Sequence, residues 1–98
     1  MEITKTVDNG VLNVALAGRL DTTTAPELEA ALKDEYANCS GLILNFENLE
    51  YISSAGLRVL LAAQKATAAC GGVLVRGANE EIKEVFDITG FSDILNIE

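Results

Sequence analysis

The chain has 98 residues, of which 49% are hydrophobic and only 5% aromatic. A single domain over residues 1–98, with a core of Leu, Ile, Val and Ala, is therefore expected. The net charge of −8, with seven basic residues, argues against nucleic-acid binding, because phosphate backbones are bound by clustered Lys and Arg. Histidine is absent, which removes the usual Ser-His-Asp and Cys-His catalytic groups and the commonest zinc ligand. We expect no catalytic residue, no bound metal and no cofactor.

Targeting signals and cysteines indicate the compartment. The N-terminus lacks a secretory signal pattern, and no apolar run approaches the ~18–20 residues that cross a bilayer. We therefore expect a cytoplasmic protein without membrane insertion. Cys39 and Cys70 form no CxxC pair, so they are predicted to be buried free thiols in a reducing compartment, with a disulfide between them as the alternative.

The first elements are a β-hairpin and a helix. Alternating apolar residues predict strands at 3–7 and 11–17, joined by Asp8-Asn9-Gly10, whose residues tolerate positive φ. Residues 18–21 are predicted to leave the strand. Thr24 and Glu27 fit a capping box, which begins a helix that should end near Asn38. Its inward face is predicted to be Leu28, Ala31, Leu32 and Tyr36.

The rest of the chain alternates strands and helices. Residues 42–46 predict a strand buried on both faces, residues 47–54 a loop, and residues 55–69 a helix with an apolar stripe. The stripe comprises Leu57, Leu60, Leu61 and Ala68. A strand at 73–75, a third helix capped by Asn79 and ended by Gly90, and a last strand or helical turn at 94–97 follow. The third helix should face inward with Ile82, Val85 and Phe86.

This order predicts an α/β domain. A hairpin followed by α-β-α-β-α implies a mixed β-sheet with parallel strands joined by helical crossovers. The helices are expected to pack mainly on one face of the sheet.

Ser53 and Ser54 lie between the third predicted strand, with its loop, and the N-terminus of the second predicted helix. Serine is among the best helix N-caps, so a purely structural role is one interpretation. The other is a modification site, because the positive end of a helix dipole favours a phosphate at that position. Residue types alone leave both interpretations open.

Three segments together resemble the STAS domain of bacterial anti-sigma factor antagonists. They are GRLD at 18–21, LEYISSAGL at 49–57 and VFDITGF at 85–91. Their order and spacing extend the resemblance over essentially the whole chain. The serine-glycine-leucine segment is the most diagnostic of the three.

The resemblance implies a phosphorylation switch at Ser54, the serine two positions before the glycine. In that family the serine is phosphorylated by an anti-sigma factor that is itself a serine protein kinase. The unmodified form binds this partner, the phosphorylated form releases it, and a PP2C-type phosphatase restores binding. Asp21 is expected to lie close to Ser54. The expected partner-binding residues are Asp21, Thr22, Ser53, Ala55, Gly56, Leu57 and Arg58.

Two positions depart from the family pattern, which commonly reads Asp-Ser-Ser-Gly or Asp-Ser-Thr-Gly. Ser53 replaces the aspartate, which makes it an alternative phosphate acceptor, and Ala55 replaces the second hydroxyl residue. These departures favour a second hypothesis, a STAS scaffold or accessory subunit of a transporter or signalling complex without a phosphorylation cycle. A third, Ser54 as an enzymatic nucleophile, is disfavoured because histidine is absent and Lys65 lies about three helical turns away.

Overall fold

The computed structural model of the protein describes residues 1–36 and 40–98. Within them the chain forms five strands and three α-helices, and short 3₁₀ turns cover Ala68–Cys70 and Phe91–Asp93. In chain order the elements are β1 (Glu2–Asp8), β2 (Val11–Leu20), α1 (Ala25–Lys33), β3 (Gly41–Ile52), α2 (Ser54–Thr67), β4 (Val73–Arg76), α3 (Glu80–Thr89) and β5 (Asn96–Ile97).

The strands form one mixed sheet in the order β1-β2-β3-β4-β5. β1 pairs with β2 in an antiparallel sense, and each later pair is parallel. Asn9 and Gly10 at the hairpin turn have φ values of 53° and 82°, which a two-residue turn between twisted strands requires. The expected α/β fold with an N-terminal hairpin is confirmed.

The core lies on one face of the sheet. Directly paired residues share a face, and the paired sets Leu12–Leu42–Val73 and Val14–Leu44–Val75 are almost completely buried. Their neighbours in the strands, such as Asn13, Ile43 and Leu74, are only half-buried. The buried residues of all three helices belong to the same core cluster as these two paired sets. The helices therefore pack on that face of the sheet, as expected.

The observed strand β3, Gly41–Ile52, is longer and less buried than the strand predicted at 42–46. Ile43 is half-buried and Asn45 exposed, so only alternate residues face the core. The predicted loop at 47–54 is wrong, because β3 continues to Ile52. The prediction that residues 18–21 leave the strand is wrong for residues 18–20, because β2 continues to Leu20 beside β3, and correct only for Asp21. Two register shifts accompany this pairing, between Ala15 and Ala17 and between Gly18 and Arg19.

The start and end of α1 differ from the sequence prediction. Thr24 is the N-cap residue but makes no side-chain cap to the helix, so the capping box with Glu27 is wrong. Its hydroxyl instead donates to the Arg19 carbonyl at 2.8 Å and accepts from the Asp21 amide at 2.8 Å. The helix ends at Lys33 rather than near Asn38, which lies outside the described residues. Leu28 and Leu32 are fully buried, whereas Ala31 and Tyr36 are half-buried.

The inward stripe of α2 also needs correction. Leu57 and Leu60 are buried as predicted, but Leu61 is half-buried and Ala68 is exposed. The stripe continues instead through Ala63 and Thr67, whose hydroxyl donates to the Ala63 carbonyl at 2.7 Å.

The cysteine prediction is correct for Cys70 in one respect and wrong in another: its thiol is free, but it is exposed in the turn after α2 rather than buried. Cys39 lies outside the described residues.

The last third of the chain follows the prediction closely. Asn79 caps α3 by accepting from the Ile82 amide at 2.8 Å, and Gly90 ends it with a φ of 83°. Ile82 and Phe86 are buried and Val85 is half-buried. The segment 94–97 contains the two-residue β5. Among the described residues, none of the helices has both the length and the continuous apolar character that a membrane-spanning segment requires.

Candidate functional site

The ends of β2 and β3 bring together the GRLD segment at 18–21 and the segment at 49–57 that contains both serines, here called the switch segment. These neighbouring parallel strands finish at the same edge of the sheet, where the Ser53 amide donates to the Leu20 carbonyl at 2.9 Å. The loop that begins at Asp21 and the N-terminus of α2 are therefore side by side. No hydrogen bond links Asp21 directly to Ser54 within the described residues.

The two serines have different structural roles. Ser53 is the N-cap of α2: its backbone is extended, with φ −103° and ψ 176°, and its hydroxyl accepts from the Gly56 amide at 3.5 Å. Ser54 is the first helical residue, it is exposed, and its hydroxyl has no hydrogen-bond partner among the described residues. Because Ser53 performs the capping, the hydroxyl of Ser54 has no structural task.

The surroundings of Ser54 favour negative charge. The first turn of α2 contains no acidic residue, although acids are usual in that position. Unpaired N–H groups and the helix dipole leave this end partly positive. Arg58, exposed one turn further along, adds a full positive charge. A phosphate on Ser54 is therefore electrostatically compatible with the helix.

Asp21 organises the loop beside Ser54. Its Oδ1 accepts from the Thr23 hydroxyl at 2.7 Å, the Thr23 amide at 3.0 Å and the Thr24 amide at 3.1 Å. These hydrogen bonds, led by that of the Thr23 hydroxyl, lower the pKa of the Asp21 carboxyl. Asp21 is therefore ionised at neutral pH, and its hydrogen bonds connect the residues of the β2–α1 loop to one another.

Arg19 and Tyr51 form a surface pair that the sequence reasoning missed. The two residues are paired across β2 and β3, and the Arg19 guanidinium carbon lies 4.2 Å from the centre of the Tyr51 ring. Arg19 also lies 3.9 Å from the Asp21 carboxylate. Tyr51 remains 40% exposed, so the pair presents an aromatic surface on the strand that leads into Ser53. Only the strand register could have identified it.

A groove of about 290 Å³ between α1 and α2 begins beside the switch segment. Its apolar part contains Ala25 and Val59, which are buried, and its edge carries the exposed side chains of Thr22, Glu29 and Arg58. Thr22 and Arg58, both predicted partner-binding residues, therefore border one continuous surface.

The predicted site residues divide into exposed and buried groups. Thr22, Ser54 and Arg58 are exposed, and Asp21, Ser53 and Ala55 are half-buried. Gly56, which has no side chain, and Leu57 are buried beneath them in the free protein. Both residues pack the first turn of α2 against the core.

Gly56 permits that close contact. A Cβ at this position would lie 2.7 Å from Leu20 Cγ and 2.9 Å from Ile52 Cγ1, and both side chains are buried. We expect Gly56→Ala to destabilise the protein by about 1–2 kcal/mol in urea unfolding, because overpacking exceeds the gain in helix propensity.

The matched control for Gly56→Ala is Ala62→Gly, at an exposed position of the same helix. It measures propensity without the steric contact and should cost about 1 kcal/mol. A stabilised Gly56→Ala protein would contradict the close-contact argument.

Comparison with known proteins assigns the family. The model of the STAS domain matches residues 2–98. The chain belongs to the STAS family. It is 33% identical over 99% of its length to BtrV of Bordetella bronchiseptica, named as an anti-sigma factor antagonist, and covers 85% of that protein. It is 29% identical, also over 99% of its length, to the anti-sigma-B factor antagonist of Staphylococcus aureus, of which it covers 92%.

Solved structures agree with the STAS fold. The unphosphorylated form of the anti-sigma factor antagonist SpoIIAA superposes with a TM-score of 0.84 at 19% identity, covering 99% of this chain and 88% of that one. The phosphorylated form of SpoIIAA from Bacillus gives a TM-score of 0.77 at 19% identity, covering 99% and 91%. At this identity the likeness concerns the fold.

Proposed function

We propose that this STAS protein is an anti-sigma factor antagonist that works by partner switching in the cytoplasm. With Ser54 unmodified it binds an anti-sigma factor that is also a serine protein kinase. Phosphorylation of Ser54 by that kinase releases the complex, and a PP2C-type phosphatase reverses the modification. The names of the curated relatives support the antagonist role.

The observation that carries the proposal is the free hydroxyl of Ser54 at the first position of α2. Phosphorylation adds about −1.5 to −2 charges at neutral pH. Because Ser54 is exposed and Ser53 provides the cap, the added group needs no rearrangement of the core. A partner docked on this edge would meet a new, strongly hydrated anion. The fold is kept and the interface changes.

The proposed docking surface surrounds Ser54. It comprises the solvent-facing parts of Asp21, Thr22, Ser53, Ala55 and Arg58, with Gly56 and Leu57 supporting them from below. The hydrogen bonds of Asp21 keep the loop in place in the free protein. A surface that is already ordered loses little conformational entropy on binding, which favours affinity.

A STAS scaffold without a phosphorylation cycle is the second candidate. Ser53 in place of the family aspartate and Ala55 in place of a hydroxyl residue favour it. Both candidates predict a protein partner. They differ in whether ATP leads to phosphorylation of the chain and release of that partner.

Phosphate mapping with two single-serine variants tests the proposal. The kinase is the anti-sigma partner recovered with the tagged chain from the cells that naturally produce it, and it is incubated with each variant and labelled ATP. We expect Ser54→Ala to abolish phosphate incorporation. Ser53→Ala should retain it, while losing about 1 kcal/mol of stability because the helix cap is removed.

Three outcomes are decisive for the mapping. Incorporation that survives in Ser54→Ala and disappears in Ser53→Ala moves the site to Ser53. Equal incorporation in wild type and both variants rejects the switch segment altogether. A recovered complex that ATP and Mg²⁺ leave unmodified and undissociated supports the scaffold instead.

A further inference from the structure

We propose that Arg58 binds the phosphate on Ser54 within the same molecule, folding its guanidinium back onto the modified side chain. This inference rests on the proposed phosphorylation of Ser54 and specifies what the modified site looks like. Arg58 would therefore act as a phosphate-holding residue as well as part of the docking surface.

The position of Arg58 on α2 is suited to this contact. Residues four apart on a helix face the same side, with Cβ atoms about 5–6 Å apart, and Ser54 and Arg58 are so spaced within α2. The favourable order for such a pair places the anion on the N-terminal side, as here. Both side chains are exposed, so no packed neighbour blocks their approach.

Arg58 is also the arginine without a partner among the described residues. Arg19 is engaged by Tyr51 at 4.2 Å and Asp21 at 3.9 Å, and Arg76 pairs with Glu98 at 3.1 Å. Glu29 borders the same groove as Arg58 but forms no ion pair with it. The guanidinium of Arg58 is therefore available to a new anion.

The chemistry of the pair suits a phosphate dianion. A guanidinium presents parallel N–H donors that match two phosphate oxygens, which makes the bond directional as well as charge-assisted. The nearby carboxylate of Asp21 already has its own donors from Thr23 and Thr24 and does not depend on Arg58.

Such a contact means that one phosphorylation would change the charge of the docking surface at two places, Ser54 and Arg58. Phosphorylation adds negative charge at Ser54, and the folded guanidinium withdraws the exposed cation at the edge of the groove. A partner that uses Arg58 in the free form would then lose that contact while it meets the phosphate. The effect of the modification would extend from one residue to the α1–α2 groove.

A phosphorus NMR titration tests the contact. Phosphoserine is encoded genetically at position 54, and the second pKa of the phosphate is measured in the otherwise wild-type chain and in Arg58→Gln. We expect Arg58→Gln to raise that pKa by about 0.2–0.4 pH units, because the dianion loses the cation one helical turn away. Arg58→Lys should give a smaller rise, since it keeps the charge and loses the paired donors.

The matched control is Lys65→Gln, which removes the same charge from the same helix. Lys65 lies eleven residues beyond Ser54, about 16 Å along the axis and past the screening length at physiological salt. It should leave the phosphate pKa within about 0.1 unit. Equal shifts in Arg58→Gln and Lys65→Gln, or no shift in either, would overturn the contact. Because the phosphoserine is built in during synthesis, this result is independent of whether any kinase modifies Ser54.

Discussion

Replacing Ser54 by aspartate is expected to weaken binding of the anti-sigma partner at least tenfold while the fold remains intact. An unpaired charge brought into an interface typically costs about 2–5 kcal/mol, and tenfold corresponds to about 1.4 kcal/mol. Aspartate carries less charge than phosphate, so the loss should be smaller than on phosphorylation. Titration calorimetry with the purified partner measures the affinity.

The control for Ser54→Asp is Ser54→Asn, which has nearly the same shape without the charge. It should retain affinity within about threefold, and only the aspartate effect should diminish in high salt. Thermal unfolding should show no loss of stability for Ser54→Asp, because an acid in the first turn of a helix is favourable by about 0.3–1 kcal/mol. Equal losses with Asn and Asp would indicate shape rather than charge, and unchanged affinity with Asp would reject the electrostatic switch.

Replacing Phe46 by alanine is expected to destabilise the protein by about 3–5 kcal/mol, the range for a buried aromatic residue. Phe46 on β3 is completely buried, and its ring centre lies 6.4 Å from that of Phe86 on α3. The contact joins the sheet to its last helix, and both rings belong to the single core. A cavity here would therefore reduce the stability of the whole domain.

Calorimetry should record this loss as a fall in Tm of more than about 12 °C, at roughly 4 °C or more per kcal/mol for a chain of this size. Phe46→Leu, which keeps most of the volume, should lose clearly less. Ile88→Ala, at a side chain that is 77% exposed, should change stability by less than about 0.5 kcal/mol. A Phe46→Ala protein as stable as Ile88→Ala would mean that the two rings do not support the core.

Local signals in the sequence predicted much of the fold. The Asn9-Gly10 turn, the Asn79 cap and the Gly90 ending each depend on residues close in sequence, and each was confirmed. The end of β3 depends on more distant pairing. Register shifts against β2 place the buried residues Phe46, Leu49 and Ile52 at intervals of three, which breaks the alternation of a regular strand and is closer to helical spacing.

The candidate site was predictable as a segment but not in its details. The family resemblance selected Ser54, yet only the backbone geometry distinguishes the capping role of Ser53 from the free hydroxyl beside it. Competition for hydrogen bonds explains the capping box that failed. The Asp21 carboxylate accepts the hydrogen bond of the Thr24 amide, which a capping box would give to Glu27. The Thr24 hydroxyl donates to the Arg19 carbonyl instead of capping the helix. Such exchanges between neighbouring polar groups are not visible in residue spacing.

The irregular pairing of β3 has a consequence for insertions and deletions. From Ala15 to Leu20 the chain advances five residues on β2, while the paired stretch of β3 advances seven, from Asn45 to Ile52. Removing one residue from that stretch would reverse the side on which every later side chain projects, so Ile52 would point away from Leu20 and α2 would start in the wrong direction. The number of residues in this segment of β3 therefore matters more than their identity. Single substitutions at its exposed positions should leave the fold unchanged. A one-residue deletion should displace Ser54 from the edge of the sheet.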